Sequence, residues 1–101
     1  MTNISTLFVA LADPTRRKLF ERIAVRSMLA GDLAKGMRVS RPAVSQHLKV
    51  LRDAGLVKVE QEGTRRMYSV DPRGVEAMRS YLNRTWDTAL QAFKKEAERK
   101  D

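Results

Sequence analysis

The sequence has 101 residues, with 20 Lys and Arg against 12 Asp and Glu, which gives a formal net charge of +8 at pH 7. A chain of this length buries one small core, and its lack of Cys and single His exclude disulfides, thiolate chemistry and imidazole-only metal sites within one chain. Its longest apolar run, residues 7–12, is far shorter than the roughly 20 residues of a membrane-spanning helix, and no signal peptide is recognisable. We therefore expect a cytoplasmic protein with no membrane partner. The positive charge favours nucleic acid as the partner, ahead of an anionic surface or of solubility alone.

Hydrophobic spacing predicts three helices in the first third of the chain. The first places apolar side chains on one face, at spacings of three, one and three residues: Ile4, Leu7, Phe8 and Leu11. Asp13 followed by Pro14 is typical of a helix start and predicts a second helix that ends near Ser27. A third, short helix is predicted over residues 31–35, closed by Gly36, which accepts the backbone conformation found after helix ends.

A helix-turn-helix and a hairpin follow. Ser40 can cap a fourth helix over residues 41–54, which stops at Gly55. Together with the third helix it predicts a helix-turn-helix over residues 32–54. Residues 56–70 alternate apolar and polar side chains around a glycine-containing turn and predict a β-hairpin, which we call the wing.

The last predicted helix begins at Asp71 and Pro72 and extends over residues 72–98, although its charged end from Lys94 onward is expected to fray. The predicted fold is therefore mainly α with a small β-hairpin wing. This is a winged helix-turn-helix, built as a single domain over residues 1–101.

The first and last helices, in residues 1–12 and 72–98, carry more apolar surface than one small domain can cover. We expect both helices to pair with those of a second copy, because a homodimer would bury them. It would also set the fourth helices of the two copies about 34 Å apart, which is one turn of DNA. The residues expected at this interface are Ile4, Leu7, Phe8, Leu11, Met78, Leu82, Trp86, Ala89 and Phe93. The alternative for Trp86 is the lining of a hydrophobic ligand pocket.

The fourth helix divides into an apolar and a polar half when its residues are placed at about 100° intervals. On the polar half, Arg41, Ser45 and Gln46 carry the donors that recognise guanine and adenine edges in the major groove. Lys49 and Arg52, farther along, suit phosphates, as does the basic tip of the wing. The candidate DNA-binding residues are Ser40, Arg41, Pro42, Ser45, Gln46, Lys49, Arg52, Arg65 and Arg66.

Other functions receive less support from the sequence. His47, the single imidazole, falls in the apolar half of the fourth helix and is expected to be packed and hydrogen-bonded rather than to bind a metal or sense pH. We find no nucleophile with a base in reach and no phosphate-binding loop, so no enzyme is predicted. The alternative to sequence-specific reading is a winged-helix module for protein docking or non-specific nucleic-acid binding, which the base-recognising donors of Arg41 and Gln46 argue against.

Three segments carry a resemblance to a known family: LADPTRRKLFERI, DLAKGMRVSRPAVSQHLKVLRDAGLV and GTRRMYSV, in this order. They resemble the ArsR family of bacterial transcriptional repressors, most specifically over residues 40–57. The resemblance implies a winged helix-turn-helix homodimer that binds a palindromic operator in double-stranded DNA, usually represses transcription and releases DNA when an effector binds.

Many members of this family sense metals through cysteines in the third helix, or through carboxylate and His ligands on the last helix. Here Leu29 and Gly31 stand at the aligned cysteine positions, and no His follows Pro72. The sequence therefore resembles the branch that does not sense metals. We expect no metal and no cofactor, and the effector implied by the family would be a small molecule that the sequence does not identify.

Overall fold

Five helices and three strands make up residues 3–99, the part of the chain described by the computed structural model. In chain order they are α1 (Ile4–Ala12), α2 (Pro14–Val25), β1 (Met28–Leu29), α3 (Ala30–Ala34), α4 (Arg41–Asp53), β2 (Val57–Glu62), β3 (Arg65–Val70) and α5 (Pro72–Glu98). The predicted helix-turn-helix is formed by α3 and α4, and the predicted wing by β2 and β3.

Local capping bonds explain where the helices begin. Four helices start at a side chain that accepts a hydrogen bond from a first-turn backbone N–H: Asn3 in α1, Asp13 in α2, Ser40 in α4 and Asp71 in α5. The end of α4 is set by Gly55, whose φ of 89° lies in the left-handed region that favours glycine. The sequence predictions of the Asp13 and Ser40 caps and of the Gly55 stop are confirmed.

The core lies between the helices α1, α2 and α4 and one face of the sheet. Its fully buried side chains come from the first four helices, from β2 and from the residue before β2: Leu7, Leu19, Ile23, Leu33, Val44, Leu48, Leu51, Leu56 and Val57. Leu7 thus packs inside its own chain and offers no side-chain surface to a partner, which corrects its predicted place at a dimer interface. Val50 of α4 is 39% exposed because it lies at the border between the apolar and polar halves of the helix.

The sheet has one strand more than the hairpin predicted from sequence. The strand order is β1-β3-β2 with all pairs antiparallel, and Met28 and Leu29 of β1 pair with Tyr68 and Met67 of β3. A contact between the hydroxyls of Ser27 and Ser69 at 2.8 Å continues this pairing. Two residues are too few to show the alternation that identifies a strand in a sequence, so β1 was not predicted.

The last helix covers the predicted range, residues 72–98. It continues through Lys94 to Glu98, so the predicted fraying from Lys94 is wrong over this range, because Lys, Glu and Ala are strong helix formers. Residues 1, 2, 100 and 101 of the predicted domain lie outside the described residues. Among the helices of residues 3–99, none combines the length and the apolar composition that crossing a bilayer requires.

The first turn of α5 is locked against the end of α4. Gly74 of α5 faces the carbonyl of Gly55 so closely that a Cβ on Gly74 would overlap it, and would also press on the Leu7 side chain of α1. Next to this contact, the backbone N–H of Asp71 donates to the carbonyl of Leu56 at 2.9 Å. The base of α5 therefore has a fixed position relative to α4.

Asp71 is the buried carboxylate that starts α5, with 4% of the residue exposed. Its Oδ1 accepts the backbone N–H of Arg73 at 3.0 Å, and its Oδ2 accepts the Arg73 guanidinium at 2.8 Å. These bonds, led by the side-chain bond to Arg73, lower the pKa of Asp71 below its ordinary value.

We predict that replacement of Asp71 destabilises the protein in a pH-dependent way. A carboxyl whose pKa is lower in the folded than in the unfolded state adds stability above its unfolded-state pKa of about 4, and this stability is lost as the pH falls through the folded-state pKa. Asp71→Ala should lower the free energy of unfolding by at least the usual cost of a lost cap, about 1 kcal/mol, at neutral pH. Asp71→Asn, which retains a capping oxygen, should differ from wild type mainly at neutral pH. Urea unfolding at a series of pH values measures both, and an Asp71→Asn deficit that did not shrink toward acid would contradict the proposed charge effect.

Candidate nucleic-acid interface

The polar half of α4 forms an open face on the molecule. Each of its predicted DNA-binding residues is exposed: Ser40, Arg41, Pro42, Ser45, Gln46, Lys49 and Arg52. The opposite half is anchored by Val44, Leu48 and Leu51, which are buried. Within residues 3–99, the side chains of Arg41 and Gln46 take part in no hydrogen bond or ion pair, so their donors are available to a partner.

Lys49 and Arg52 share one acidic neighbour. Lys49 Nζ lies 3.0 Å from Asp53 Oδ2, and Arg52 Nε lies 4.0 Å from Asp53 Oδ1. All three side chains are exposed to water, and ion pairs of this kind contribute little to stability. Both basic groups can therefore exchange Asp53 for another anion at low cost.

Arg22 of α2 fixes the turn that leads into α4. Its Nη1 donates to the carbonyls of Leu33 and Lys35 at 2.8 and 3.0 Å, and its Nη2 to that of Asp32 at 3.1 Å. These carbonyls belong to the C-terminal end of α3, where backbone acceptors lack helical partners and the helix dipole favours a cation. Sequence reasoning missed this role, because no local pattern links Arg22 to residues ten or more positions away.

The start of α2 holds the end of α1 in the same manner. Arg16 Nε donates to the carbonyl of Ala10 at 2.8 Å, and Arg17 Nη1 donates to that of Leu11 at 3.3 Å. With Arg22, three of the basic residues of α2 are thus committed to backbone carbonyls inside the fold. The positive charge of the sequence therefore overstates the charge that is free to meet a partner.

His47 joins α4 to the start of α2. Its side chain is half-buried, and its Nδ1 lies 4.0 Å from Asp13 Oδ2, which is an ion-pair distance and too long for a hydrogen bond. The predicted packing of His47 is present, whereas the predicted hydrogen bond is not found among the described residues. The pKa of Asp13 is lowered, chiefly by the hydrogen bond from the Arg16 backbone N–H, with smaller contributions from the charges of Arg16 and His47. Asp13 therefore acts as the cap of α2.

The two arginines of the wing have different surroundings. Arg65 pairs directly with Glu62 across the hairpin, whereas Arg66 pairs with the neutral Gln61. Paired residues in an antiparallel sheet project from the same face, so Arg65 and Glu62 are neighbours on one face and Arg66 is on the other. Gln61 Nε2 donates to the Gly63 carbonyl at 3.1 Å and so ties down the turn. Both arginines are exposed.

The predicted interface residues of α1 and α5 divide into two groups. Leu7 is fully buried, and Ile4, Leu11 and Met78 are partly buried against the core of this chain. The remainder are exposed: Phe8, Leu82, Trp86, Ala89 and Phe93. The most open are Trp86 at 66% and Phe93 at 73%. Phe8 also packs edge-to-face on Tyr81, with ring centroids 5.6 Å apart, which joins the exposed surfaces of the two helices.

No metal centre is visible in the part of the chain that the structure describes. Over residues 3–99, no three side chains of His, Cys, Asp or Glu come together in an arrangement that could hold an ion. Two of the acidic residues, Asp13 and Asp71, have a structural role as helix caps.

The exposed polar face of α4, the short helix before it and the hairpin after it define a winged helix-turn-helix DNA-binding protein. A family model described as a helix-turn-helix domain matches residues 11–60. The HTH-type transcriptional regulator Rv2034 of Mycobacterium tuberculosis is 52% identical over 84 residues, which cover 83% of this chain and 78% of that protein. The transcriptional repressor SdpR of Bacillus subtilis is 34% identical over 67% of this chain and 76% of its own length.

Solved structures give the same result. The ArsR-like transcriptional regulator from Rhodococcus sp. RHA1 superimposes with a TM-score of 0.75 at 30% identity, over 93% of this chain and 92% of that chain. The protein belongs to the ArsR family of transcriptional regulators. The family resemblance, the winged helix-turn-helix fold and the prediction of a non-enzymatic regulator are confirmed.

Proposed function

We propose that this protein is a homodimeric repressor that reads a palindromic operator with α4 in the major groove. The observation that carries the proposal is the outward polar face of α4, on which Arg41, Ser45 and Gln46 are exposed within the first two turns. An α-helix fits the major groove, and the N-terminal part of a recognition helix is where base edges are usually contacted. The repressor named among its relatives supports the proposed direction of regulation.

The side chains on this face suit different parts of the DNA. The Arg41 guanidinium can donate to both O6 and N7 of guanine, and the Gln46 amide can pair with N6 and N7 of adenine. Lys49 and Arg52 lie farther along α4, where their exposed and weakly paired charges suit phosphates. The Ser45 hydroxyl can bond to either kind of base. Ser40 and Pro42 stand at the start of the helix, where the small Pro42 leaves room for a close fit.

The wing contributes chiefly through Arg66 in this proposal. Arg65 faces Glu62, which offsets part of its attraction for a phosphate, whereas Arg66 faces the neutral Gln61. Arg66 also projects from the same face of the sheet as Tyr68, which packs on the core. We therefore assign Arg66 the stronger contact with DNA and Arg65 the weaker one.

The dimer is supported by the part of α5 that extends beyond the core. Every residue from 81 to 99 is exposed, and the large apolar ones recur at helical spacing: Tyr81, Leu82, Trp86, Leu90 and Phe93. Single helices are marginal in water without tertiary packing, and exposed apolar stripes mark association sites. A second copy of α5, together with Phe8 of α1, would cover this surface. The proposed interface therefore keeps Phe8, Leu82, Trp86, Ala89 and Phe93, with Ile4, Leu11 and Met78 at its edge.

The proposed regulator does not use thiophilic metals as its signal. Such metals are held by thiolates, and this sequence contains no Cys. We propose a small molecule without metal as the effector, in agreement with the resemblance to the branch of the family that does not sense metals. DNA binding itself needs no cofactor in this proposal.

The base-reading and phosphate-binding roles on α4 predict different mutant phenotypes. Arg41→Ala or Gln46→Ala should cost about 1–3 kcal/mol on the cognate operator and relax base preference at one position. Lys49→Ala should weaken binding to all sequences about equally and lower the salt slope by about one unit. Fluorescence-anisotropy titration against the DNA upstream of the gene and a scrambled duplex, each at two salt concentrations, separates the two patterns. Identical behaviour of the three variants would refute the assignment of bases and phosphates.

The two wing arginines form a matched pair. Arg66→Ala should weaken binding to either duplex more than Arg65→Ala, because the cross-strand partner of Arg65 is Glu62, which would repel a phosphate, whereas the partner of Arg66 is the neutral Gln61. The same titration measures both, with circular dichroism as a check that the hairpin is intact. An equal or opposite order would show that the contact is set by the reach of the turn and not by the neighbouring charge.

The dimer proposal is tested at Trp86. Trp86→Ala should weaken the dimer by about 2 kcal/mol, as expected for a large aromatic residue at the centre of an interface. Gln91→Ala, an exposed residue turned about 140° away from Trp86 on the same helix, serves as the control and should leave the dimer unchanged. Sedimentation over a range of protein concentrations gives the association constants, and a wild-type protein that is monomeric throughout would overturn the dimer.

A further inference from the structure

A shallow groove lies beside the N-terminal end of α4 and involves none of the residues that the sequence assigns to DNA. It runs between the start of α2 and the turn that joins α3 to α4, and has a volume of about 230 Å³. Its lining consists of Pro14, Thr15, Lys18, Gly36, Met37, Arg38 and Val39. The two charged members of this set are Lys18 and Arg38, both basic, and no carboxylate lines the groove.

Lys18 and Arg38 differ from the other basic residues around them. Arg16, Arg17 and Arg22 donate to backbone carbonyls within the fold. Within residues 3–99, Lys18 and Arg38 take part in no hydrogen bond or ion pair, and both are exposed. Two uncompensated cations beside one groove repel each other, so an anion placed between them is stabilised.

The groove borders the reading face on one side. On one flank of α4, Arg41 and Ser45 share a cavity with Gly31 and Ala34 of α3. On the other flank, His47 Nδ1 of α4 lies 4.0 Å from Asp13 Oδ2, which brings the start of α2 against α4. The exposed polar residues lie between the two flanks, and the groove lies on the α2 side.

A helix in the major groove is bordered by a phosphate backbone on each side, and phosphate contacts fix its register without reading sequence. Cations on the flank of α4 are therefore placed to meet a backbone, not a base edge. The Thr15 hydroxyl at the same groove offers a neutral donor of the kind that often accompanies such contacts.

We propose that Lys18 and Arg38 bind a phosphate of the DNA backbone beside the N-terminal end of α4. The proposal rests on the proposed function, because it takes α4 to lie in the major groove. It adds a second element, the start of α2, to the DNA-binding surface formed by α4 and the wing. The contact orients α4 in the groove and carries no base preference.

The test uses the full chain with a scrambled duplex and with the DNA upstream of the gene. The scrambled duplex carries the main measurement, because binding to a phosphate does not depend on sequence. Lys18→Gln and Arg38→Gln should each weaken binding by about fivefold at moderate salt. Each should also lower the slope of log K against log salt concentration by about 0.9 for every phosphate that is no longer neutralised. Lys18→Arg, which retains the charge, should bind as the wild type does.

Lys94→Gln is the matched control, since it removes one positive charge from the exposed end of α5, beyond the core. It should leave the salt slope unchanged. If Lys18→Gln and Arg38→Gln weakened binding no more than Lys94→Gln, the groove would hold no phosphate and the proposal would fall. Weaker binding confined to the DNA upstream of the gene, with an unchanged salt slope, would indicate base reading and would also overturn it. A wild-type protein that bound neither duplex would instead refute the proposed function, so the two failures are distinguishable.

Discussion

The position of α4 depends on hydrogen bonds from arginine side chains to the open carbonyl ends of neighbouring helices. Arg22 donates to three carbonyls at the end of α3, and Arg16 and Arg17 donate to carbonyls at the end of α1. A short helix such as α3 has little stability of its own, so a cation at its C-terminal end both satisfies its acceptors and complements its dipole. These hydrogen bonds hold the turn into α4 in place, independently of the apolar packing of α4 itself.

A second constraint joins α4 to α5, the helix that carries the exposed apolar stripe. Gly74 at the base of α5 lies against Gly55 at the end of α4, where no larger residue fits without movement of one helix. In a dimer that pairs through α5, this contact would link the geometry of the interface to the positions of the two α4 helices. Their separation would have to match the spacing between the half-sites of a palindromic operator, which is one or more turns of DNA.

The distribution of charge shows how a basic sequence becomes a directed surface. The arginines of α2 donate hydrogen bonds to backbone carbonyls inside the fold. Lys49 and Arg65 each have a carboxylate neighbour. Arg41, Arg66, Lys18 and Arg38 keep their charges free among the described residues, on α4, on the wing and at the groove beside α4. A net charge of +8 therefore indicates the kind of partner, while the folded arrangement decides which groups meet it.

The sequence by itself determined the helix starts, the polar face of α4 and the wing, because capping bonds and helical periodicity act over three or four residues and can be read locally. It also excluded thiolate metal sites through the absence of Cys. Only the tertiary structure decided that Leu7 faces the core while Phe8 faces out, and that Met28 and Leu29 add a strand. Only the tertiary structure also decided the partners of Arg16, Arg17 and Arg22. Their carbonyl partners are six to thirteen residues away and meet them only when the helices pack.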